Sequence, residues 1–235
     1  MNNKFSNALV AKKQAGYIPV IPDIKCISPK EGDLFQGRDP VQSAKLLVEV
    51  GAPALSVVTE EKNFGGSLKL LEQVASGVKC PVLRKDFITC VDDLKITKDC
   101  GGEAVLLVCA ILSYPLLKML YEEAIMIGLE PLVEVHTKEE LIWAEKIDAK
   151  LVGINNRNIL KLERDDGTIS STKLLSPFVP KDALIISESS IQTPKEAEAA
   201  VLAGADAVLI GTAIWHAKNM RECYLALSKE LGDFI

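Results

Sequence analysis

Short runs that are apolar at nearly every position alternate along this chain with longer stretches whose apolar residues recur every three or four positions. The short runs are PVIPDIKC (19–26), LSVVTE (55–60), PVLRKDF (81–87), AVLLVC (104–109), PLVEVH (131–136), LVGINNR (151–157), LIISESS (184–190) and AVLIGTA (207–213). Strands buried on both faces read this way, and covered parallel sheets are built from them. The longer stretches carry helix signals. Asp39-Pro40 opens VQSAKLLVEVG with a cap, a proline in the first turn and a glycine stop. Thr137 and Glu140 have capping-box spacing before LIWAEKI, and Thr193-Pro194 before KEAEAAVLAG repeats the cap–proline–helix–glycine order. Gly51-Ala52, Gly101-Gly102 and Gly204-Ala205 stand before the second, fourth and eighth runs as helix-to-strand turns.

Eight strand–helix units in 235 residues is the scale of a (β/α)8 TIM barrel, which typically takes ~250 residues. The other common α/β design, an open doubly wound sheet, usually carries a G-x-G-x-x-G turn after its first strand, and none is present. No linker or shift of composition divides the chain. The expectation is one α/β domain over 1–235, with a short N-terminal segment (1–17) ahead of the barrel (18–235). The stretch 158–180 reads as an extended loop with a short helix.

Composition narrows the partners. Lys and Arg number 27 against 32 Asp and Glu, a formal charge of −5, so nothing electrostatic favours nucleic acid or an anionic membrane. Apolar residues at 48% and charged ones at 25% argue against disorder, collagen and coiled coil. The longest uncharged run, Ala104 to Leu117, contains Pro115 and falls short of the roughly 20 residues a spanning helix needs. The first residues lack the apolar core of a signal peptide. Cys26, Cys80, Cys90, Cys100, Cys109 and Cys223 show no C-x-x-C, and only 2 histidines accompany them. Reduced thiols, a cytoplasmic protein and no metal are expected.

Charged or amide side chains fall toward the C-terminal ends of six runs: Lys25, Glu60, Lys85, Glu134, Asn155 with Arg157, and Glu188. Singly, each is an ordinary strand-end residue paired with a neighbour. In a barrel these ends share one face, where active sites lie, so together they read as a site. A lysine beside a carboxylate in a partly dry pocket is a means of placing a general acid near neutral pH. Ser189-Ser190 and Gly211-Thr212 close the last two runs, where barrels often hold phosphate on backbone amides. Ser28 adds a hydroxyl after the first run, although Ser and Gly also end strands for turn reasons.

These residues stand in a recognisable order. Asp23-Ile24-Lys25-Cys26-Ile27-Ser28-Pro29-Lys30-Glu31-Gly32 parallels E-x-K-x-x-S-P-S-x-G, and Val58 to Ser67 parallels L-T-(E/D)-x-x-x-F-x-G-S. Lys85-Asp86-Phe87, Glu134, the G-I-N-x-R of Gly153 to Arg157, Glu188 to Ile191, and Gly211-Thr212 follow in turn. From about Phe5 to the C-terminus the chain resembles the indole-3-glycerol phosphate synthases.

The resemblance implies ring closure of 1-(2-carboxyphenylamino)-1-deoxyribulose 5-phosphate with loss of CO2 and water, a carbon–carbon lyase step of tryptophan biosynthesis. It implies Lys85 as the acid at the ketone, Lys25 as a second acid oriented by Asp23, and Glu134 as the base. Asn155 and Glu188 position sugar hydroxyls and the lysines. Phosphate is expected on Ser28, Ser190, Gly211 and Thr212, with Ser189 beside the substrate. Phe64, Phe87 and Leu106 are either an apolar wall for the anthranilate ring or plain core. Arg157 either meets the substrate carboxylate or pairs with an acid. No cofactor is implied; the partners are the phosphorylated substrate and an associated enzyme of the same pathway. His136 shares the strand face of Glu134 and reads as a loop contact, Trp215 and His216 as packing, and Cys26 as either a reactive or an inert thiol.

Three departures from the family pattern stand out. Asp23 is one methylene shorter than the family's glutamate. Ser190 replaces a glycine, which is expected to crowd the phosphate loop. Few residues precede the first strand, so the helix that lids the mouth in the family is expected to be largely missing. They motivate two alternatives, a divergent relative acting on another phosphorylated aromatic or sugar, and a barrel that only binds a ligand or partner.

Overall fold

The computed structural model describes residues 3–161 and 167–232. Eight parallel strands close into a barrel: β1 (Val20–Ile24), β2 (Leu55–Val58), β3 (Val82–Lys85), β4 (Ala104–Val108), β5 (Glu130–Val135), β6 (Leu151–Asn155), β7 (Leu184–Glu188) and β8 (Ala207–Ile210). Each pairs with its neighbours in sequence, and Val20 opposite Val208 seals β1 to β8. Seven fall within the apolar run expected to form them, and β5 begins one residue earlier, at Glu130. Closure leaves no sheet edge and makes an inside and an outside.

Successive side chains alternate between them. Ile21, Ala54, Leu83, Leu106, Leu132, Ile186 and Leu209 form one cluster inside the barrel. Val20, Ile24, Val57, Val82, Val105, Val133 and Val208 belong to the other, between sheet and helices. The same parity carries Asp23, Lys25, Lys85, Glu134, Asn155 and Glu188 to the inner face at the C-terminal rim.

The surrounding helices include α2 (Pro40–Glu49), α3 (Leu68–Gly77), α4 (Val91–Asp99), α5 (Tyr114–Met126), α6 (Lys138–Lys146), α7 (Ser170–Leu175), α8 (Pro194–Leu202), α9 (Thr212–His216) and α10 (Met220–Leu227). Asp39 caps α2 by accepting from the Gln42 amide at 2.9 Å. Thr193 and Glu196 close a full capping box on α8. At α6 the expected box is half made. Thr137 accepts from the Glu140 amide, but the Glu140 carboxylate reaches past it to the amide of His136 at 2.5 Å. The long stretch after β6 yields α7; residues 162–166 within it lie outside the described ones.

The N-terminal segment forms a helix, α1 (Lys4–Gln14), that the apolar pattern does not announce. It lies across the N-terminal ends of the strands, opposite the rim. Phe5 and Leu9 join the inner cluster, and the first-turn amides of Phe5 and Ser6 donate to Glu130 at 2.5 and 3.1 Å. Those amides have no partner within a helix, so a buried carboxylate satisfies both hydrogen bonding and dipole. Lys13 adds an ion pair to Asp206 at 2.7 Å. Among the described residues, the N-terminal helix therefore plugs the floor of the barrel and does not cover its mouth. No helix among them is long and apolar enough to cross a membrane.

Removing the plug's anchor tests its weight. Phe5→Ala is expected to destabilise the fold by about 3–5 kcal/mol in denaturant unfolding while leaving kcat and KM at 25 °C unchanged, because Phe5 lies at the far end from the rim.

Candidate active site

At the rim one cation is shared by two acids. Lys85 ends β3, and its Nζ lies 3.2 Å from Oε2 of Glu134 on β5 and 3.1 Å from Oε2 of Glu188 on β7. Both carboxylates are fully buried. Desolvation makes such a cluster costly. Gly153 on β6 makes room for it: a Cβ there would lie 2.1 Å from Oε1 of Glu188. Burial, and then the like charge of Glu134 against the pull of Lys85, leave the Glu188 carboxyl above the usual carboxylate range.

Two chambers open on either side of the lysines. One is lined by Val58, Phe64, Phe87, Leu106, Val108 and Ile159 with Lys25 and Lys85. The other is lined by Asp23, Arg157, Ser189, Ser190, Gly211 and Thr212 with the same two lysines. The apolar chamber has the faces to take an aromatic ring; the polar one has hydroxyls, a guanidinium and the start of α9. Lys25 Nζ also stands 5.7 Å from the centre of the Phe64 ring. Glu60 accepts from the amides of Asn63 and Phe64 at 2.7 and 3.0 Å, which fixes the turn that presents that ring.

The polar chamber is shaped by strain. Ser189 and Ser190 both have positive φ, 65° and 60°. Left-handed backbone in a non-glycine residue costs roughly 1–2 kcal/mol. Asn156 holds it there, donating to Ser187 Oγ, to the carbonyl of Glu188 and to that of Ser189 at 3.0, 2.9 and 3.3 Å, while accepting from the Thr172 amide. The expected crowding takes the form of a contact: Arg157 Nε donates to Ser190 Oγ at 3.3 Å.

The remaining sequence-selected residues fall as follows. Asp23 accepts from Ser56 Oγ at 2.7 Å, and its carbonyl accepts from the indole of buried Trp215 at 2.8 Å. Asn155 accepts from the Arg157 amide at 2.9 Å, and its buried Nδ2 has no hydrogen-bond partner. Ser28 is buried in its own turn, its Oγ accepting from the Lys30 and Glu31 amides, and lines neither chamber. His216 is not packing: it is largely exposed and pairs with Glu31 at 3.2 Å. Burial and Asp33 push the Cys26 thiol up, which disfavours the reactive thiolate.

Two residues escaped the sequence reading. Arg84 faces outward, where it meets Asp86 at 2.9 Å and Thr97 at 3.1 Å. Period-two alternation beside an inward Lys85 was its signal. Asn156 had none beyond adjacency to Asn155, since its partners come from β7 and α7.

Residues 1–227 match the family model described as indole-3-glycerol phosphate synthase. A protein of that name from Pyrococcus furiosus is 43% identical over 212 residues, 90% of this chain and 92% of its own. The one from Thermococcus kodakarensis is 40% identical over 203 residues, 86% of this chain and 88% of its own. The one from Exiguobacterium sibiricum is 42% identical over 203 residues, 86% and 77%. Among solved structures, thiamine phosphate pyrophosphorylase from Pyrococcus furiosus superimposes with a TM-score of 0.62 at 16% identity, covering 81% of this chain and 88% of that one, a likeness of fold alone.

Two variants probe the balance at the rim. An acid whose folded pKa is raised loses stability as pH climbs from its unfolded value through its folded one. Glu188→Gln is therefore expected to melt roughly 2–4 °C above the parent at pH 8, with the gap closing near pH 4 and turnover falling. Ser190→Gly is expected to gain about 1 kcal/mol in urea unfolding by relieving its left-handed backbone.

Proposed function

The chain belongs to the indole-3-glycerol phosphate synthase family, and we propose that its two rim lysines and the acid between β4 and β6 divide the ring closure among them. The substrate, 1-(2-carboxyphenylamino)-1-deoxyribulose 5-phosphate, has an aromatic carboxylate at one end and a phosphate at the other, with a ketone between. The observation that carries the assignment is that both lysines border an apolar and a polar chamber at once. Anthranilate lies against Phe64, Phe87 and Leu106. The phosphate lies against Ser190, Gly211 and Thr212, with Ser189 alongside; Ser28, held in its own turn, shapes the loop beside it. That leaves the ketone at the lysines.

The first step forms the bond between the aryl carbon bearing the carboxylate and the ketone carbon. The carbonyl π electrons move to oxygen, which takes a proton from the Lys85 ammonium. The carboxylate then leaves as CO2, returning its bonding pair to the ring. In the second step Lys25 protonates the new hydroxyl, which departs as water, while Glu134 takes a proton from the ring methylene and the pair left behind completes the indole double bond. Glu134 lies 3.2 Å from Lys85, so the proton it gains restores the ammonium that Lys85 spent. Lys25 regains its own from solvent, which matches the one proton a decarboxylation consumes. Such acid–base groups typically contribute about 10²–10⁴-fold each.

Asp23 anchors the start of this rim through Ser56, Glu188 holds Lys85 from the opposite side, and Asn155 offers its unpartnered amide to a sugar hydroxyl. Arg157 borders the polar chamber, where it meets the substrate's anions. A cytoplasmic location, one undivided domain and association with another enzyme of the pathway complete the proposal, on the strength of the unpaired cysteines, the closed barrel and the family resemblance.

Turnover is followed by the fluorescence of the indole product. The parent protein is expected to form it, and Lys85→Ala is expected to lose about 10²–10⁴-fold in kcat while keeping its circular dichroism. Parent-like turnover by that variant would remove Lys85 from the chemistry.

A further inference from the structure

Behind the proposed base lies a histidine that the mechanism does not use. Lys85 reaches only Oε2 of Glu134. The other oxygen, Oε1, is buried without a hydrogen-bond partner and faces Nε2 of His136 at 3.5 Å. On the far side of the ring, Nδ1 faces Oε2 of Glu140 at 3.4 Å. Glu140 is itself held by the His136 amide, the reach that broke the α6 capping box. A neutral imidazole has one N–H and one lone pair, so between two carboxylates it would turn the lone pair toward one of them. Only the imidazolium offers an N–H to both.

The charge balance argues the same way. Glu134 and Glu188 are both fully buried, and both pair with the ammonium of Lys85. We propose that His136 is a positioning residue for the reaction: protonated between Glu140 and Glu134, it supplies the second counter-charge of the buried acid pair and keeps Glu134 ionised and oriented as the base. This rests on the reading of Glu134 as base.

The groups that surround the ring come from several elements. Glu140 faces it from α6 and Glu134 from β5, with Glu188 and Lys85 one layer behind. Arg157 lines the same groove beside it, after β6. Cys109, after β4, is near enough to feel Glu140 and Glu134, and burial pushes its thiol up. Burial opposes charge on His136, yet Glu140, Glu134 and Glu188 outweigh it and raise the ring's pKa above the ordinary histidine value.

Two measurements test this. In wild-type protein the chain's 2 histidines are distinguished in NMR spectra by the signal lost in His136→Asn. The His136 ring is expected to titrate above the ordinary histidine value and to shift down in Glu140→Gln. In kinetics, His136→Asn is expected to move the acidic limb of kcat upward by about one pH unit, with KM unchanged. Its kcat at alkaline pH, once the wild-type ring has lost its proton, approaches the parent's. A merely structural role would instead lower kcat by one factor at every pH. A ring that titrates at or below the ordinary value, or an acidic limb that stays in place, overturns the proposal; the NMR result decides alone should His136→Asn not fold. Glu134→Gln separates the two readings. If that variant turns over like the parent, the base assignment fails, whatever charge His136 carries.

Discussion

The rim depends on one cation shared between two buried acids. Lys85 is held at 3.1–3.2 Å between two carboxylates that water does not reach. An ammonium in that position cannot be released without leaving two like charges facing each other, so its place is fixed before any ligand arrives. The arrangement exists only because the barrel closes. β3, β5 and β7 are not adjacent in the sheet, and their side chains meet only across the interior. Gly153 on β6 keeps the space between them open.

From that fixed point the mouth divides. A lysine pair separates an aromatic-lined chamber from a hydroxyl-lined one, and the proposed binding mode carries the ketone of an aryl-and-phosphate substrate past both ammonium groups. The chemistry needs few further parts: two acids, a base and a means of passing the proton back. His136 and Glu140 extend the charge row outward from the base toward a groove at the rim. Stability is spent here, in the raised Glu188 and the left-handed serines, and is restored elsewhere by the α1 plug, which ties its free amides to Glu130 on the opposite face.

Much of this was legible in the sequence for a physical reason. A parallel strand buried on both sides has no tolerance for polar residues except at its ends, so Lys25, Lys85, Glu134, Asn155 and Glu188 stood out against apolar runs. Their period-two spacing from Ile21, Leu83, Leu132, Leu151 and Ile186 put them on one face. What stayed hidden depends on distance in space rather than along the chain. The α1 helix has a weak apolar stripe because it buries only Phe5 and Leu9, and its decisive partner, Glu130, is far away in sequence. Asn156 works through β7 and α7. Glu140 carried a capping-box signal, yet its carboxylate goes to the His136 amide, because the histidine wedged against Glu134 brings that amide within reach. Ser28, which the motif placed on phosphate, also accepts from the amides of its own turn.

The central claim is that the ketone is delivered to Lys85. A crystal structure of Lys85→Ala with unreacted substrate bound tests it most directly. The account predicts the aryl ring among Phe64, Phe87 and Leu106, the phosphate beside Ser190 and Thr212, and the ketone oxygen within about 3 Å of the place the lysine nitrogen occupied. A ketone turned toward the apolar wall, or a phosphate seated in the aromatic chamber, would contradict it.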